Sequence, residues 1–493
     1  TGVRNSIIGG LAGDALTVGG NNVTMGYASL SLDTKGSGSV AIGAGALNVQ
    51  NFTTATTTHN TAVGLDAGKA VTTGTDNTLI GSLSGDAITD GNTNTAVGSF
   101  ALTTNQRGDR NTAIGHEALK TLNPSGDADT YNTAVGYQSG KAVTTGTVNT
   151  LIGSLSGDAL TTGEENTAVG YQSLGTATKS DNNVAIGNSA LGALNHTTQT
   201  DSYNTGVGYA AGAAVTTGID NTIMGGLAGD ALTDADQNVA IGRSALTSDT
   251  LGSRSVAVGY QTLAFQNFTT AVNSFNTAVG HLAGNKVTTG IRNTLIGASA
   301  GDALTDADFN VAVGKDALGR DTLGSKTVAI GEGALAFQNF TTATDTHNTA
   351  VGYDAGGDLT TGAENTFVGA LAGDATDDGA SNTSVGYASL RANAGNDNTA
   401  VGANALASCT GANNTAVGYA AGLAIGSGGN NLVLGKDAGR TGSPGGNITT
   451  ASNTIVLGDE DCTAGNHIQT DWTVASDQRD KTDFTDLDLG LDF

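Results

Sequence analysis

Aspartate is the residue type with the clearest chemical potential in this chain, because it recurs at one fixed spacing. Six aspartates lie 72 residues apart, at Asp14, Asp86, Asp158, Asp230, Asp302 and Asp374. A carboxylate is a good calcium ligand, but a calcium ion takes about six to eight oxygens gathered around one point. Aspartates spaced this widely do not share an ion. We therefore expect each one to be a solvated turn residue that hydrogen-bonds its own backbone.

The other residue types that perform catalysis show no arrangement of their own. The six histidines include no HExxH motif and no close pair. Cys409 and Cys462 match neither a disulfide framework nor a metal-ligand spacing. No pair of carboxylates stands apart from the repeats as the pair of a glycosidase would. We predict that the repeats have no enzymatic activity and hold no metal and no cofactor.

The composition sets further limits on the class of protein. The chain has 493 residues with 75 Gly and only 2 Pro, which is unlike both collagen and ordinary disordered protein. Its formal net charge of −25 opposes binding to nucleic acid or to an anionic membrane. No apolar run approaches the roughly 18 residues of a membrane span. We expect neither a nucleic-acid partner nor membrane insertion.

A short repeat fills most of the chain. A glycine that follows an aliphatic residue occurs 26 times between Gly9 and Gly458, in most cases 17 residues after the previous one. From Gly43 to Gly352 the spacing runs 21, 17, 17, 17 without a break, which gives a superperiod of 72 residues. Repeats of fixed period indicate an architecture of stacked units. The spacing becomes irregular after Gly386.

Asparagine lies four residues before the glycine in 22 of the 26 copies. An Asn stacked on an Asn of the next coil extends the backbone ladder by hydrogen bonds through its amide. We predict a structural ladder that includes Asn60, Asn77, Asn94, Asn111, Asn132, Asn149, Asn166 and Asn183.

The two residues before the glycine predict a strand that is apolar on both faces. The nearer one is always Val, Ile, Leu or Met, and the farther one is usually Ala. Once per superperiod the farther one is larger: Leu79, Leu151, Ile223, Leu295 or Phe367. Neighbouring strand residues point to opposite faces, so one face fills the interior and the other needs a partner. We expect the Ala/Leu face to be the one that a partner covers.

These features together predict an all-β fold, a parallel β-solenoid of about 26 coils with a 17-residue unit and a four-coil superperiod. Coils about 4.8 Å apart would make a rod of roughly 125 Å. The units are too short for helical or leucine-rich repeats and lack helical periodicity.

The long coil of each superperiod carries four extra residues. They end with an aromatic or His before the ladder Asn, at His59, Tyr131, Tyr203, Phe275 and His347. Loops along one edge of a solenoid often form its binding surface. Two interpretations stay open: a packing or subunit-contact feature, and a repeated surface-binding site for a sugar or receptor.

The last residues differ from the repeats. They contain the only Trp and the sequence WTVASDQRDKTDF, followed by LGLDF at 489–493. This segment resembles the junction at which phage tail fibres and tailspikes pass into an intramolecular chaperone domain of the S74 peptidase family. Together with the end of the repeat at Gly458, the resemblance implies three domains: a solenoid shaft (1–458), a connecting segment (459–475) and the start of an incomplete chaperone-like domain (476–493). It also implies self-cleavage of the precursor at Ser476-Asp477, with Ser476 as nucleophile and Lys481 as base.

The repeat itself resembles the head domains of trimeric autotransporter adhesins. The closest segments are GSVAIGAGAL at 38–47 and KTVAIGEGAL at 326–335. Those heads are homotrimers of left-handed parallel β-rolls. Both resemblances therefore imply a homotrimer, with the chain itself as the main partner.

We interpret the sequence as a phage tail-fibre shaft, located on the virion and thus extracellular. Its further partners would be other tail proteins and a glycan or protein receptor on the host surface. The alternatives are the head of a bacterial trimeric adhesin and a subunit of an extracellular polymer.

Overall fold

The chain forms a parallel β-solenoid, as the sequence predicts. A computed structural model describes residues 2–443, 446–459 and 461. Over these residues it contains strands and turns but no helix. Twenty-six short strands form one continuous parallel sheet along the rod. Their bounds are Ser6–Ile8, Val23–Met25, Val40–Ile42, Thr61–Val63, Thr78–Ile80, Thr95–Val97, Thr112–Ile114, Thr133–Val135, Thr150–Ile152, Thr167–Val169, Val184–Ile186, Thr205–Val207, Thr222–Met224, Val239–Ile241, Val256–Val258, Thr277–Val279, Thr294–Ile296, Val311–Val313, Val328–Ile330, Thr349–Val351, Thr366–Val368, Thr383–Val385, Thr399–Val401, Thr415–Val417, Leu432–Leu434 and Ile455–Leu457.

Each strand pairs with the equivalent strand of the next coil, with the same repeat positions opposite each other. In one such pair Thr133 lies opposite Thr150, and Ala134 lies opposite Leu151. The same register holds across a long coil, where Thr112 lies opposite Thr133, so each repeat position keeps its place around the coil. Side chains at one position therefore form a column parallel to the rod axis, with neighbours about 4.8 Å apart.

The glycine after each strand is required by the corner that it forms. Gly136 has φ of 143°, a conformation that side-chain-bearing residues rarely adopt. A Cβ there would lie 2.4 Å from the carbonyl oxygen of Gly153 in the next coil. The corner therefore depends on glycine for both its backbone angle and the close approach of successive coils.

The middle residue of each strand points into the solenoid, and the two flanking residues point outward. Ala134, Leu151 and Ala168 are fully buried inside a single chain. The expectation that a partner covers the Ala/Leu face is therefore wrong, because strand alternation alone does not reveal which apolar face is interior. The face left to solvent instead carries the aliphatic residue directly before each glycine.

The 72-residue superperiod is a packing pattern of the interior. The large side chain of Leu151 occupies space left by two glycines at a second bend of the coil, four residues after the corner glycine. A Cβ on Gly140 or Gly157 would lie 2.7 or 2.8 Å from the methyl carbons of Leu151. In the following two coils the strand residues are Ala168 and Ala185, and the second bend carries a buried leucine, Leu174 or Leu191. Large and small residues thus alternate between strand and second bend and keep the core filled.

The extra residues of the long coils add five small parallel sheets, each of two strands. The pairs are Gly36–Ser37 with Thr56–Thr57, Gly108–Asp109 with Ala128–Asp129, Ser180–Asp181 with Thr200–Asp201, Gly252–Ser253 with Val272–Asn273, and Gly324–Ser325 with Thr344–Asp345. The insertion is therefore hydrogen-bonded to the preceding coil and is part of the solenoid wall.

Candidate functional site

The predicted Asn residues lie inside the rod, where each one joins three coils. Asn149 accepts a hydrogen bond at Oδ1 from the backbone N–H of Asn166 (3.1 Å). Its Nδ2 donates to the carbonyl of Gly163 (2.9 Å) and to Oδ1 of Asn132 (3.1 Å). The bond to the backbone N–H of the next Asn recurs at every step from Asn60 to Asn183. Direct amide–amide bonds occur only at some steps, so the ladder runs mainly between side chain and backbone.

The structure contains a second buried polar network, which the sequence did not predict. Where Ser39 replaces the ladder Asn, Gln50 donates to Ser39 Oγ (3.0 Å) and to the buried carboxylate of Asp33 (2.7 Å). The Gln50 carbonyl oxygen accepts from Asn60 (2.9 Å), which restores the ladder. The same arrangement recurs around Gln266 and Gln338. Every polar partner is used within the wall, so this network is structural.

The five predicted bulge residues are exposed but do not form a joint site. His59, Tyr131, Tyr203, Phe275 and His347 all lie at the corner before a ladder Asn, four coils apart. That separation is roughly 19 Å. Their contacts differ: His59 Nδ1 lies 3.2 Å from Asp76, whereas the guanidinium of Arg110 lies 5.5 Å from the Tyr131 ring centre. Three of the five thus lie against a neighbouring charged side chain: His59 against Asp76, Tyr131 against Arg110, and Phe275 against Arg254.

A different column collects most of the tyrosines. Eight of the ten tyrosines directly follow a corner glycine and are exposed. We call this column the tyrosine corner; it contains Tyr27, Tyr137, Tyr171, Tyr209, Tyr260, Tyr353, Tyr387 and Tyr419. Two histidines of the same column stack on tyrosines of the neighbouring coils. The ring centres are 5.6 Å apart for His116 and Tyr137, and 5.4 Å apart for His281 and Tyr260. The recurring dipeptide Gly-Tyr was the sequence signal for it.

The outer face of the large sheet presents an apolar row beside the tyrosine corner. The row consists of the Val, Ile, Leu or Met residue directly before each corner glycine, and we call it the outer stripe. Ile152 and Val417 of this row remain about two-fifths exposed although each is flanked by its neighbours, whereas other members such as Val135 are partly buried. A contiguous apolar patch of this length is unusual on a monomeric protein surface.

Five of the six recurring aspartates are half-buried, whereas we expected all six to be solvated; only Asp14 is exposed. Burial raises the pKa of Asp86, Asp158, Asp302 and Asp374 above the ordinary aspartate value. Among the described residues, no group of three or more His, Cys, Asp or Glu is placed to hold a metal ion. The predicted catalytic residues Ser476 and Lys481 lie outside the described part of the chain.

No protein-family model matches this chain, and no curated protein matches it either. Within the described residues there is also no helix with the length and apolar character needed to cross a bilayer.

Proposed function

We propose that this protein is a structural fibre, the shaft of a phage tail fibre that extends from the virion toward the host surface. The observation that carries the proposal is the uninterrupted sheet of 26 coils, a rod about 120 Å long. Such a rod suits reach and attachment better than turnover of a substrate, because its buried polar groups are hydrogen-bonded from one coil to the next. The S74-like segment at the end of the chain supports the same assignment.

The shaft assembles from three copies of the chain. The outer stripe supports self-association, because it would leave a long apolar surface in water on a lone chain. Its side chains are aliphatic and evenly spaced, so an equivalent stripe on another copy can pack against it without burying charge. The three-fold symmetry itself rests on the two family resemblances.

The C-terminal segment would act before the fibre is mature. In the precursor, Lys481 takes the proton of the Ser476 hydroxyl, which attacks the carbonyl carbon of the Ser476-Asp477 peptide bond. The C–N bond of that peptide breaks, the Asp477 nitrogen takes the proton and leaves with the chaperone part, and water then hydrolyses the acyl ester. A desolvated lysine is a competent base for such a step. The mature shaft then has no enzymatic activity.

The location of the protein tests the proposal most simply. Antibodies raised against residues 2–443 should label the tail of virions in electron micrographs and should reduce adsorption to host cells. Antibodies against the connecting segment 459–475 serve as a control for accessibility. Labelling confined to a bacterial envelope would favour the adhesin alternative and overturn the tail-fibre assignment.

A further inference from the structure

The tyrosine corner contains two sets of three tyrosines with the same spacing. Tyr137, Tyr171 and Tyr209 occupy alternate coils, and so do Tyr353, Tyr387 and Tyr419. The coils between them carry Ser154 and Asn188 in the first set, and Ala370 and Ala403 in the second. Small side chains thus separate the rings, and nothing larger in the column fills the gaps. The sets begin three superperiods apart, since Tyr353 follows Tyr137 by 216 residues.

Packing within the rod does not require aromatic residues at these positions. The six tyrosines are between 47% and 63% exposed, so about half of the surface of each one lies outside the core. Elsewhere the same column carries Arg243, Lys315 or Glu332, and the coil is unchanged there. An exposed tyrosine offers a rigid apolar surface with a polar hydroxyl, the combination that recurs at binding surfaces. The placement of these rings therefore indicates recognition.

The backbone holds the rings at fixed intervals. The carbonyl oxygen of each of the six tyrosines accepts a hydrogen bond from the next coil, for example from Ser189 N–H to Tyr171 (2.9 Å) and from Leu371 N–H to Tyr353 (2.8 Å). Rings on alternate coils are thus about 9.6 Å apart along the axis. A preorganised array loses little entropy when a ligand binds.

A periodic array of rings fits a periodic ligand. Equal steps along a straight axis match a linear polymer whose units repeat in the same direction, whereas a folded protein surface has no such period. The two-coil step is comparable to one disaccharide unit of an extended, equatorially linked polysaccharide. Sugar rings present flat C–H faces to aromatic rings and hydroxyls to polar neighbours such as Gln172 and Asn188, both next to these tyrosines in the wall.

The charge of the surface favours a neutral polysaccharide over an anionic one. The chain carries a formal net charge of −25. Around the second set, Tyr353 lies beside Asp354 and near Glu332, and the pKa of its hydroxyl is raised by a hydrogen bond to Asp354. Carboxylates at this position would repel an anionic glycan.

We propose that the two tyrosine sets bind extended, neutral, equatorially linked polysaccharide that lies parallel to the rod. The inference deepens the proposed function and rests on it for the biological setting, because it places host-surface contact on the side of the shaft. It assigns the contact to residues other than the five predicted bulge positions.

Retention on polymers of defined chemistry tests this binding site. The probes are microcrystalline cellulose and chitin as extended neutral polymers, dextran as a flexible neutral polymer, and polygalacturonate as an anionic polymer. The test variant replaces all six tyrosines with serine. The matched control is Tyr131→Ser with Tyr203→Ser, which changes the two tyrosines that lie outside the corner. Thermal melting of each variant checks that the rod is intact.

We expect the native chain and the control to bind cellulose or chitin, and the six-fold variant to lose at least tenfold in affinity with an unchanged melting temperature. Three results would overturn the inference: no retention on either extended neutral polymer, retention unaffected by the six substitutions, or preference for polygalacturonate. Antibody labelling of the virion is independent of these outcomes. A labelled tail without polysaccharide retention would therefore reject this site alone, and retention by a chain absent from virions would reject the tail-fibre function alone.

Discussion

The interior of the rod and the tyrosine corner belong to the same coils but follow opposite rules. Inside, the strand residue is Ala in most coils and a large apolar residue once per superperiod, and almost every coil has the ladder Asn. At the tyrosine corner the residue changes from Tyr to Ser, His, Leu, Lys or Glu along the rod. One region is uniform and the other is varied, although both are columns with the same axial spacing.

The difference shows which residues are dictated by their neighbours. An interior side chain fills a volume bounded by the coils above and below, so a change in one coil requires a change in the next. A corner side chain projects into solvent and is free of that requirement. Regular structure inside therefore reports folding, whereas selective placement of tyrosines outside reports function.

The largest expected effect is the loss of a ladder Asn. Asn149→Ala would leave the backbone N–H of Asn166 and the carbonyl of Gly163 without their side-chain partner. We expect a loss of about 3–5 kcal/mol in stability, since each buried unsatisfied group costs about 1–3 kcal/mol. Urea denaturation followed by circular dichroism measures it. Asn188→Ala, at the exposed corner, is the matched control, and an equal effect of both changes would contradict the distinction between the two regions.

The packing of the superperiod gives the next largest effect. Leu151→Ala should cost about 2–5 kcal/mol because it opens a cavity over Gly140 and Gly157. Gly157→Leu alone should also destabilise, since Leu151 already fills that space. The double variant copies the Ala168/Leu174 coil and should recover part of the loss. If the stability loss of the double variant equalled the sum of the two single losses, large and small residues would not compensate each other between the strand and the second bend.

A charge in the outer stripe should affect assembly more than folding. Ile152→Lys places an ammonium in the apolar row, whereas Val148→Lys makes a comparable change four residues earlier at a corner that is 49% exposed. Burying an unpaired charge between chains is costly, so we expect Ile152→Lys to shift the protein toward single chains in sedimentation velocity. The Val148 variant should assemble as the native chain does. Identical sedimentation of the two variants would show that the outer stripe is not the surface through which the chains associate.

The smallest effect concerns pH. Burial raises the pKa of Asp86, Asp158, Asp302 and Asp374 in the folded chain. The folded state therefore binds more protons than the unfolded one, and their stabilising contribution is complete below about pH 3.9 and lost as the pH rises through the raised values. We expect the melting temperature to increase as the pH is lowered from 7 toward 4.

Replacing these four aspartates with asparagine should flatten that increase. Glu117 acts in the opposite direction, because hydrogen bonds from Lys120, Lys141 and Gln138 lower its pKa to about 2. Its contribution is present above the ordinary glutamate value and disappears only as the pH falls toward 2. A melting temperature that falls between pH 7 and pH 4 would contradict the assignment of the aspartates.

The sequence was sufficient to predict the coil, its register and the roles of Asn and Gly, because those follow from spacing alone. It was not sufficient to decide which strand face is interior, since Ala134 and Val135 are both apolar and alternate. The Asp33–Gln50–Asn60 network was missed because its members come from neighbouring coils and meet only when the coils stack. The tyrosine corner was not predicted because only eight of the 26 coils carry Tyr at this position, so the Gly-Tyr signal is intermittent along the repeat.

The mass per unit length of the intact rod shows both whether the chain is a solenoid and how many chains form the shaft. Electron scattering from single unstained particles gives both the length and the mass of each rod. We expect rods about 120 Å long, from 26 coils about 4.8 Å apart, with the mass of three chains. Rods of that length with the mass of one chain would contradict the homotrimeric shaft, and compact particles would contradict the solenoid itself.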